Sequence, residues 1–376
     1  MWKRILLSLT AIVWLWLPTA VSAAKPTTIS SFSAVLYEPV SGRFLYEKAA
    51  DVPRPMASTT KLMTALVAAE QLPFDRVVTV PSEAVLVEGS SMGLRAEERL
   101  SVHDLMAGLL LSSGNDAANT LAVLSCGSLS AFAERMNQKA AALGMKNTLF
   151  VTPSGLDEGD HHSTARDMAL LGAAVLQNEQ VAQLCASRTA VIYKGDPEQA
   201  ITLYNHNRLL RLYPDSIGLK TGYTVKSGKC LVSAARRNGI TLVAVTLNGG
   251  DYWNDHIALY EYGFSVTSSV TPAVPELPLL AVAGGEKTRV ALTAESPSPT
   301  VLFDGEEVSS RVQLPSFAWA PLTQGDAVGT LTYTVGDRVI QTMDITVAES
   351  VAARPPQTGI QKWTKPLRRL FAEWLR

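Results

Sequence analysis

The chain has 376 residues, enough for two domains with a well-buried core. Its formal net charge is −1, so it exerts no global electrostatic pull on nucleic acid or an anionic surface, and no nucleic-acid partner is expected. Apolar residues make up 47%, an ordinary content for a globular protein.

The first segment is set apart. Lys3 and Arg4 precede an uncharged stretch from Ile5 to Ala24 that closes on the small residues Val21-Ser22-Ala23. This is the pattern of a cleaved export signal over residues 1–23. A retained membrane anchor is the alternative, although the apolar core is short for a span. Export would permit disulfides, but Cys126, Cys185 and Cys230 are odd in number and widely spaced, so three buried free thiols are expected.

Ser33 to Lys48 reads as a β-hairpin around Pro39-Val40-Ser41-Gly42. From Met56 to Leu176 the pattern is mostly helical. In "TTKLMTALVAAEQL" Leu62, Leu66 and Ala69 share a face. Ser101, with Asp104 three residues on, predicts a helix start before "VHDLMAGLLL". Ser112-Ser113-Gly114-Asn115 interrupts that helix, and another follows from Asp116. Strands are expected after Tyr204, including two runs joined at Asn238-Gly239, a strong hairpin signal. "YWNDHIALYEYGF" then reads as a helix. The layout predicts an α/β protein of the α+β type, an antiparallel sheet covered by helices with a helical subdomain inserted.

A boundary falls at "VTPAVPELP". Beyond it, residues 275–350 read as a small all-β domain, with Leu331, Tyr333 and Val335 alternating against threonines before a Gly336-Asp337 turn. Residues 359–376 change character again. Trp363, Leu367, Leu370, Phe371 and Trp374 recur at helical spacing among Lys362, Lys365, Arg368, Arg369 and Arg376. This fits an amphipathic helix lying in a membrane surface; packing on its own protein is the competing reading.

The opening of the helical region carries a candidate chemistry. Ser58-x-x-Lys61 places a hydroxyl and an amine on one face at a helix start. Ser58 is then either a cap or a nucleophile with lysine as its base. The second role requires the lysine pKa, ordinarily about 10.4, to be lowered by burial or a neighbouring cation. The same spacing recurs at Ser22 to Lys25 across the end of the export signal, so spacing alone favours the cap. Two further motifs add to it: Ser113-Gly114-Asn115, the single S-x-N of the chain, and Lys220-Thr221-Gly222, the single K-T-G. Each alone reads as a polar turn. Together they supply a nucleophile, a base, a second hydroxyl, an amide and a second cation. The acidic and histidine-containing loop at Asp157, Glu158, Asp160, His161 and His162 lacks a zinc-peptidase signature and reads as a loop; no metal or other cofactor is expected.

The order S-x-x-K, S-x-N, K-T-G is that of penicillin-binding proteins and class A β-lactamases. The stretches "PMASTTKLMTALVAAE", "LMAGLLLSSGNDAANTLA", "HHSTARDMALL" and "IGLKTGYTVKSGKCLVSAARRNGITLVAV" closely resemble the low-molecular-mass D-alanyl-D-alanine carboxypeptidases. The resemblance implies a β-lactamase/transpeptidase-like catalytic domain over residues 31–268. It implies that Ser58 is acylated by a peptide ending in D-Ala-D-Ala, that Lys61 takes its proton and that Ser113 relays protons. It implies that Asn115 holds the peptide, and that Lys220 and Thr221 meet the terminal carboxylate, for which Gly222 leaves room. Backbone N–H groups of Ser58 and Tyr223 would form the oxyanion hole, and β-lactam antibiotics would acylate Ser58. The expected location is the outer face of the bacterial cytoplasmic membrane, held through the C-terminal helix. A β-lactamase using Glu158 to hold water, and a non-catalytic cell-wall binding protein, are the competing functions. Some relatives carry a downstream arginine for the carboxylate where "GGDYWNDH" stands here.

Overall fold

The structure is a computed structural model that describes residues 25–195 and 198–355. The expected export signal (1–23) and amphipathic helix (359–376) lie outside the described residues. The chain divides between Ser268 and Ser269 into two compact units.

In the first unit, β1 (Ser33–Glu38) and β2 (Arg43–Lys48) form the expected hairpin. Its turn is tied by the Glu38 carboxylate, which accepts from the backbone N–H of Val40 at 2.9 Å and of Ser41 at 2.7 Å. A 3₁₀ turn at Ala57–Thr60 leads into α1 (Lys61–Gln71). The short strands β3 (Val77–Thr79) and β4 (Arg99–Ser101) pair with each other. At the start of α2 (Val102–Leu110), Ser101 Oγ accepts from the Asp104 N–H at 3.0 Å, the cap expected there. Helices α3 (Asn115–Cys126), α4 (Leu129–Ala142), α5 (Ala165–Leu176) and α6 (Glu179–Ala186) follow.

Next come β5 (Thr189–Lys194) and β6 (Gln199–Tyr204), a hairpin lying before Tyr204, where the sequence reading placed no strand. Only Ile192 and Leu203 are buried in it, so the usual alternation of apolar and polar residues is nearly absent. After a single turn, α7 (Leu209–Leu212), the chain forms β7 (Ser216–Thr224), β8 (Gly228–Arg237) and β9 (Ile240–Gly249), then α8 (Tyr252–Ser265). Asn238 and Gly239 join β8 to β9 with φ of 50° and 80°, the two positive values a type I′ turn needs.

The main sheet runs β2-β1-β9-β8-β7, antiparallel throughout. Helices cover both of its faces, and glycines set how closely. A Cβ on Gly263 of α8 would stand 2.6 Å from side-chain atoms of Leu242 and Leu36. One on Gly172 of α5 would stand 2.9 Å from Val243 and 3.1 Å from Val232. Leu242 and Val243 are neighbours on β9 and therefore point to opposite faces. Helices α1 to α6 pack on one side around a single core that runs from Val35 to Leu247. Cys185 and Cys230 are buried free thiols; Cys126 is free but only half-buried, because it ends α3 where the helix emerges.

The second unit is all β among the described residues. Its four-stranded sheet runs Leu292–Thr293, Arg338–Val347, Ala327–Val335, Val308–Gln313. Val335 and Arg338 flank the Gly336-Asp337 turn, and Leu331, Tyr333 and Val335 point inward. A three-stranded sheet, Arg289–Val290, Leu280–Ala283 and Ala318–Trp319, closes over a core of Leu280, Val282, Val290, Leu322, Val347 and Val351.

Under α8 lies a buried polar network. The fully buried His256 bonds Ser233 Oγ through Nδ1 at 2.6 Å and Thr246 Oγ1 through Nε2 at 2.9 Å, and Ser233 Oγ is 2.5 Å from Tyr260 OH. Burial pushes the His256 pKa down to about 3. The unfolded chain, with a pKa near 6.5, therefore binds the extra proton that the folded state refuses. This contribution to stability is whole above pH 6.5 and is lost as pH falls toward 3, at about 1.4 kcal/mol per unit. His256→Gln keeps a donor and an acceptor, so its melting temperature is expected to fall less than that of the parent between pH 6.5 and 4.5. Identical slopes in a thermal melt series would contradict this.

Candidate active site

The 3₁₀ turn presents Ser58 half-exposed between the buried Ala57 and Thr59, and α1 starts only at Lys61. Ser58 makes no capping hydrogen bond, so the cap reading fails on geometry. Lys61 is fully buried, and its Nζ has three partners: Ser58 Oγ at 2.9 Å, Asn115 Oδ1 at 2.7 Å and the Ser154 carbonyl at 2.7 Å. The Asn115 orientation is fixed from its other end, where Nδ2 donates to the Glu88 carbonyl at 2.5 Å. Two of the three partners of Lys61 can therefore only accept. A neutral amine donates its two protons to them and turns its lone pair on the Ser58 hydroxyl, which is the arrangement a general base requires. Burial, and then the positive charge of Lys220, hold the Lys61 pKa well below its ordinary value.

Lys220 reaches the site from the middle of β7. It is buried, and its pKa is lowered by desolvation to about 8. Among the described residues its ammonium makes one hydrogen bond, to the Thr221 carbonyl at 3.0 Å, which leaves two protons for an incoming anion. Thr221 and Gly222 are half-exposed beside it, and the Tyr223 side chain is exposed. Ser113 lies in the turn between α2 and α3 and is buried, but its hydroxyl is not among the partners of Lys61. Asn115 Oδ1 and the Ser154 carbonyl stand with Ser58 Oγ around Lys61 Nζ.

The backbone is strained where the motifs meet. Ala57, Ser113 and Leu219 have φ of 48°, 61° and 77°, values costly for residues with a side chain. They are the residue before Ser58, Ser113 itself and the residue before Lys220. Three such outliers beside three motifs are what a site held in place by its surroundings looks like.

Sequence comparison agrees with this geometry. The sequence family described as D-alanyl-D-alanine carboxypeptidase matches residues 19–251. The chain belongs to the D-alanyl-D-alanine carboxypeptidase family. A second family, the C-terminal domain of penicillin-binding protein 5, matches residues 276–353. The D-alanyl-D-alanine carboxypeptidase DacC of Escherichia coli strain K12 is 32% identical, covering 91% of this chain and 90% of that protein. DacF of Bacillus subtilis strain 168 is 28% identical, covering 89% and 90%. Penicillin binding protein 5 from Haemophilus influenzae superposes with a TM-score of 0.67 at 29% identity, covering 88% of this chain and all of that one. The chain is accordingly a serine-type D-alanyl-D-alanine carboxypeptidase.

The supports of this carboxypeptidase site include residues that sequence motifs did not single out. Ser154 contributes only a carbonyl, and the loop carrying it is pressed against the turn at Ala57–Thr60. A Cβ on Gly155, where φ is 83°, would fall 2.0 Å from the Ala57 carbonyl oxygen. His161, read from sequence as part of a polar loop, is buried beneath that segment. Its Nδ1 accepts from the Val151 N–H at 2.9 Å, so Nε2 carries the proton and donates to Thr60 Oγ1 at 2.9 Å. Burial lowers its pKa to about 4, so at neutral pH it is an uncharged brace. Glu158, by contrast, is exposed. Asp116 is buried and gathers Ser91 Oγ at 2.6 Å with the N–H groups of Met92 and Leu94, which shapes the loop whose Glu88 carbonyl orients Asn115. Cys230 faces Gly222 across the sheet; burial raises its thiol to about 11, which leaves it inert at neutral pH.

At Gly222, β7 lies close against the turn that carries Ser58. A Cβ there would meet three backbone atoms, Ser58 N at 2.9 Å, Met56 O at 3.0 Å and Thr59 N at 3.0 Å. None can rotate away, so Gly222→Ala moves the turn. Penicillin acylation is expected to slow about a hundredfold with the fold retained. Parent-like labelling kinetics with a fluorescent penicillin would contradict this.

Proposed function

We propose that this carboxypeptidase removes the terminal D-alanine from peptidoglycan pentapeptide side chains through an acyl-enzyme on Ser58. The supporting observation is the set of partners around Lys61, two that only accept and one hydroxyl that can give up its proton. Ser58 Oγ bonds the carbonyl carbon between the two D-alanines while its proton passes to Lys61 Nζ. The developing oxyanion rests on the backbone N–H groups of Ser58 and Tyr223. Lys220 and Thr221 receive the terminal carboxylate, and Gly222 leaves room for it. The C–N bond then breaks, and the proton held by Lys61 reaches the leaving amine of D-alanine by way of Ser113. Asn115 holds the peptide with its second Nδ2 proton. Water releases the trimmed peptide by the same base in reverse.

β-Lactam antibiotics enter this scheme as substrate mimics that leave a slow ester on Ser58. The N-terminal pattern of residues 1–23 supports export, and the basic, aromatic tail of residues 359–376 supports attachment to the outer face of the cytoplasmic membrane. Mass spectrometry of a pentapeptide after incubation tests the reaction: loss of one D-alanine is expected. An intact pentapeptide, or cleavage at an internal bond alone, would overturn the assignment.

A further inference from the structure

The strand at Ala318–Trp319 reverses the usual sorting of side chains. Its two small residues, Ala318 and Ala320, pack against the core of the second unit. Its two large aromatic residues, Phe317 and Trp319, point to solvent at 46% and 70% exposure. Alternation along the strand accounts for the direction but not for the choice of residues. A strand that needed only to cover the core would carry its bulk inward. The two rings are also ordered against each other, edge to face with centroids 5.4 Å apart.

The place of this pair in the fold indicates what it meets. Trp319 pairs with Ala283 in parallel register, and the Ala320 N–H donates to the Ala283 carbonyl at 2.9 Å. The next residue, Gly284, would bring a Cβ within 3.9 Å of the Trp319 ring. Gly284 also accepts from the Arg354 N–H at 2.7 Å, and Gly285 bridges to Ala353. The aromatic pair is therefore close to Ala353 and to Arg354, which stands two residues before the start of segment 356–376 in the sequence. Residues 352–355 there are exposed, Arg354 among them. An aromatic belt beside a cation, next to the root of a basic aromatic tail, has the composition of a bilayer interface contact.

We propose that Phe317 and Trp319 form a second membrane contact, dipping into the interface of an anionic lipid surface beside the root of the tail. This rests on the reading of residues 359–376 as a membrane-surface helix. Two contacts on one body act together, because the tail holds the rings at high local concentration above the lipid. The rings would then give the second unit a second point of attachment beside the tail.

The test uses the mature full chain and vesicles of phosphatidylethanolamine and phosphatidylglycerol in equal parts. Phe317→Ser with Trp319→Ser is expected to weaken vesicle partition about tenfold, with penicillin labelling and melting temperature unchanged. With Trp363→Phe and Trp374→Phe in place, lipids brominated near the headgroup are expected to quench a fluorescence component that disappears on Trp319→Phe. Deleting residues 359–376 examines the tail separately. If that deletion releases the protein while the double serine variant partitions like the parent and Trp319 is not quenched, the second contact is overturned and the tail reading stands. If the deletion leaves partition unchanged but the double variant abolishes it, the aromatic contact stands and the tail reading fails. Retained vesicle binding by the double variant with lost binding to purified peptidoglycan would overturn the proposal by assigning the rings to glycan.

Discussion

Replacing Lys61 with methionine is expected to slow acylation of Ser58 by about a thousandfold or more, in a protein that still folds. Methionine matches the length and burial of the lysine and removes only its nitrogen. The Asn115 and Ser154 oxygens each lose a donor, a cost of about 1–3 kcal/mol apiece that a thermal melt registers. Lys61→Arg is the sharper variant. Arginine keeps donors for the same oxygens, but it cannot become neutral near physiological pH and so offers Ser58 no lone pair. A base role predicts that both variants fail. If arginine restored acylation, Lys61 would be acting as a fixed positive charge. Stopped-flow labelling with a fluorescent penicillin separates these outcomes, and thermal melts exclude unfolding as the cause.

The second large effect concerns pH. In the proposed roles Lys61 acts as a neutral base and Lys220 holds the carboxylate as a cation, so kcat/KM is expected to trace a bell. On the alkaline side, Lys220 is protonated below its pKa of about 8 and loses its charge above it, so activity declines as pH rises through that value. On the acid side, activity declines as Lys61 gains a proton at its lowered pKa. The two limbs are linked, because the charge of Lys220 is the second cause of the lowering at Lys61. Lys220→Gln is expected to cost about a hundredfold in kcat/KM on a peptide with a free C-terminus. It should also remove the alkaline limb and move the acid limb to higher pH. An alkaline limb unchanged in Lys220→Gln would show that another group titrates there.

Much of this site was legible in the sequence because its chemistry is written in short motifs. Ser58 and Lys61 are three residues apart, so one turn of chain brings them together whatever surrounds them. That same locality made the spacing ambiguous, as its idle copy at Ser22 and Lys25 illustrates. Ser113-Gly114-Asn115 and Lys220-Thr221-Gly222 resolved the ambiguity through recurrence as a set. What sequence could not supply was the far side of Lys61. A backbone carbonyl such as that of Ser154 has no sequence signature. The role of His161 depends on burial under a loop that only the tertiary fold creates.

The fold divides in the same way. The hairpins at Glu38–Arg43, Arg237–Ile240 and Val335–Arg338 carry turn residues whose backbone needs are specific, so they were readable. The hairpin of β5 and β6 is solvated on most of its length and leaves no such trace. The inverted strand at Ala318–Trp319 is the opposite case. Its pattern is plain in the sequence, yet its meaning depends on knowing which face is core.

The central claim is that Ser58 is the nucleophile activated by an uncharged Lys61. Intact-protein and peptide mass spectrometry after brief exposure to a penicillin tests it most directly. A single adduct on the peptide containing Ser58, absent from Ser58→Ala, is the expected result. An adduct on any other residue, or one that persists in Ser58→Ala, would contradict the account.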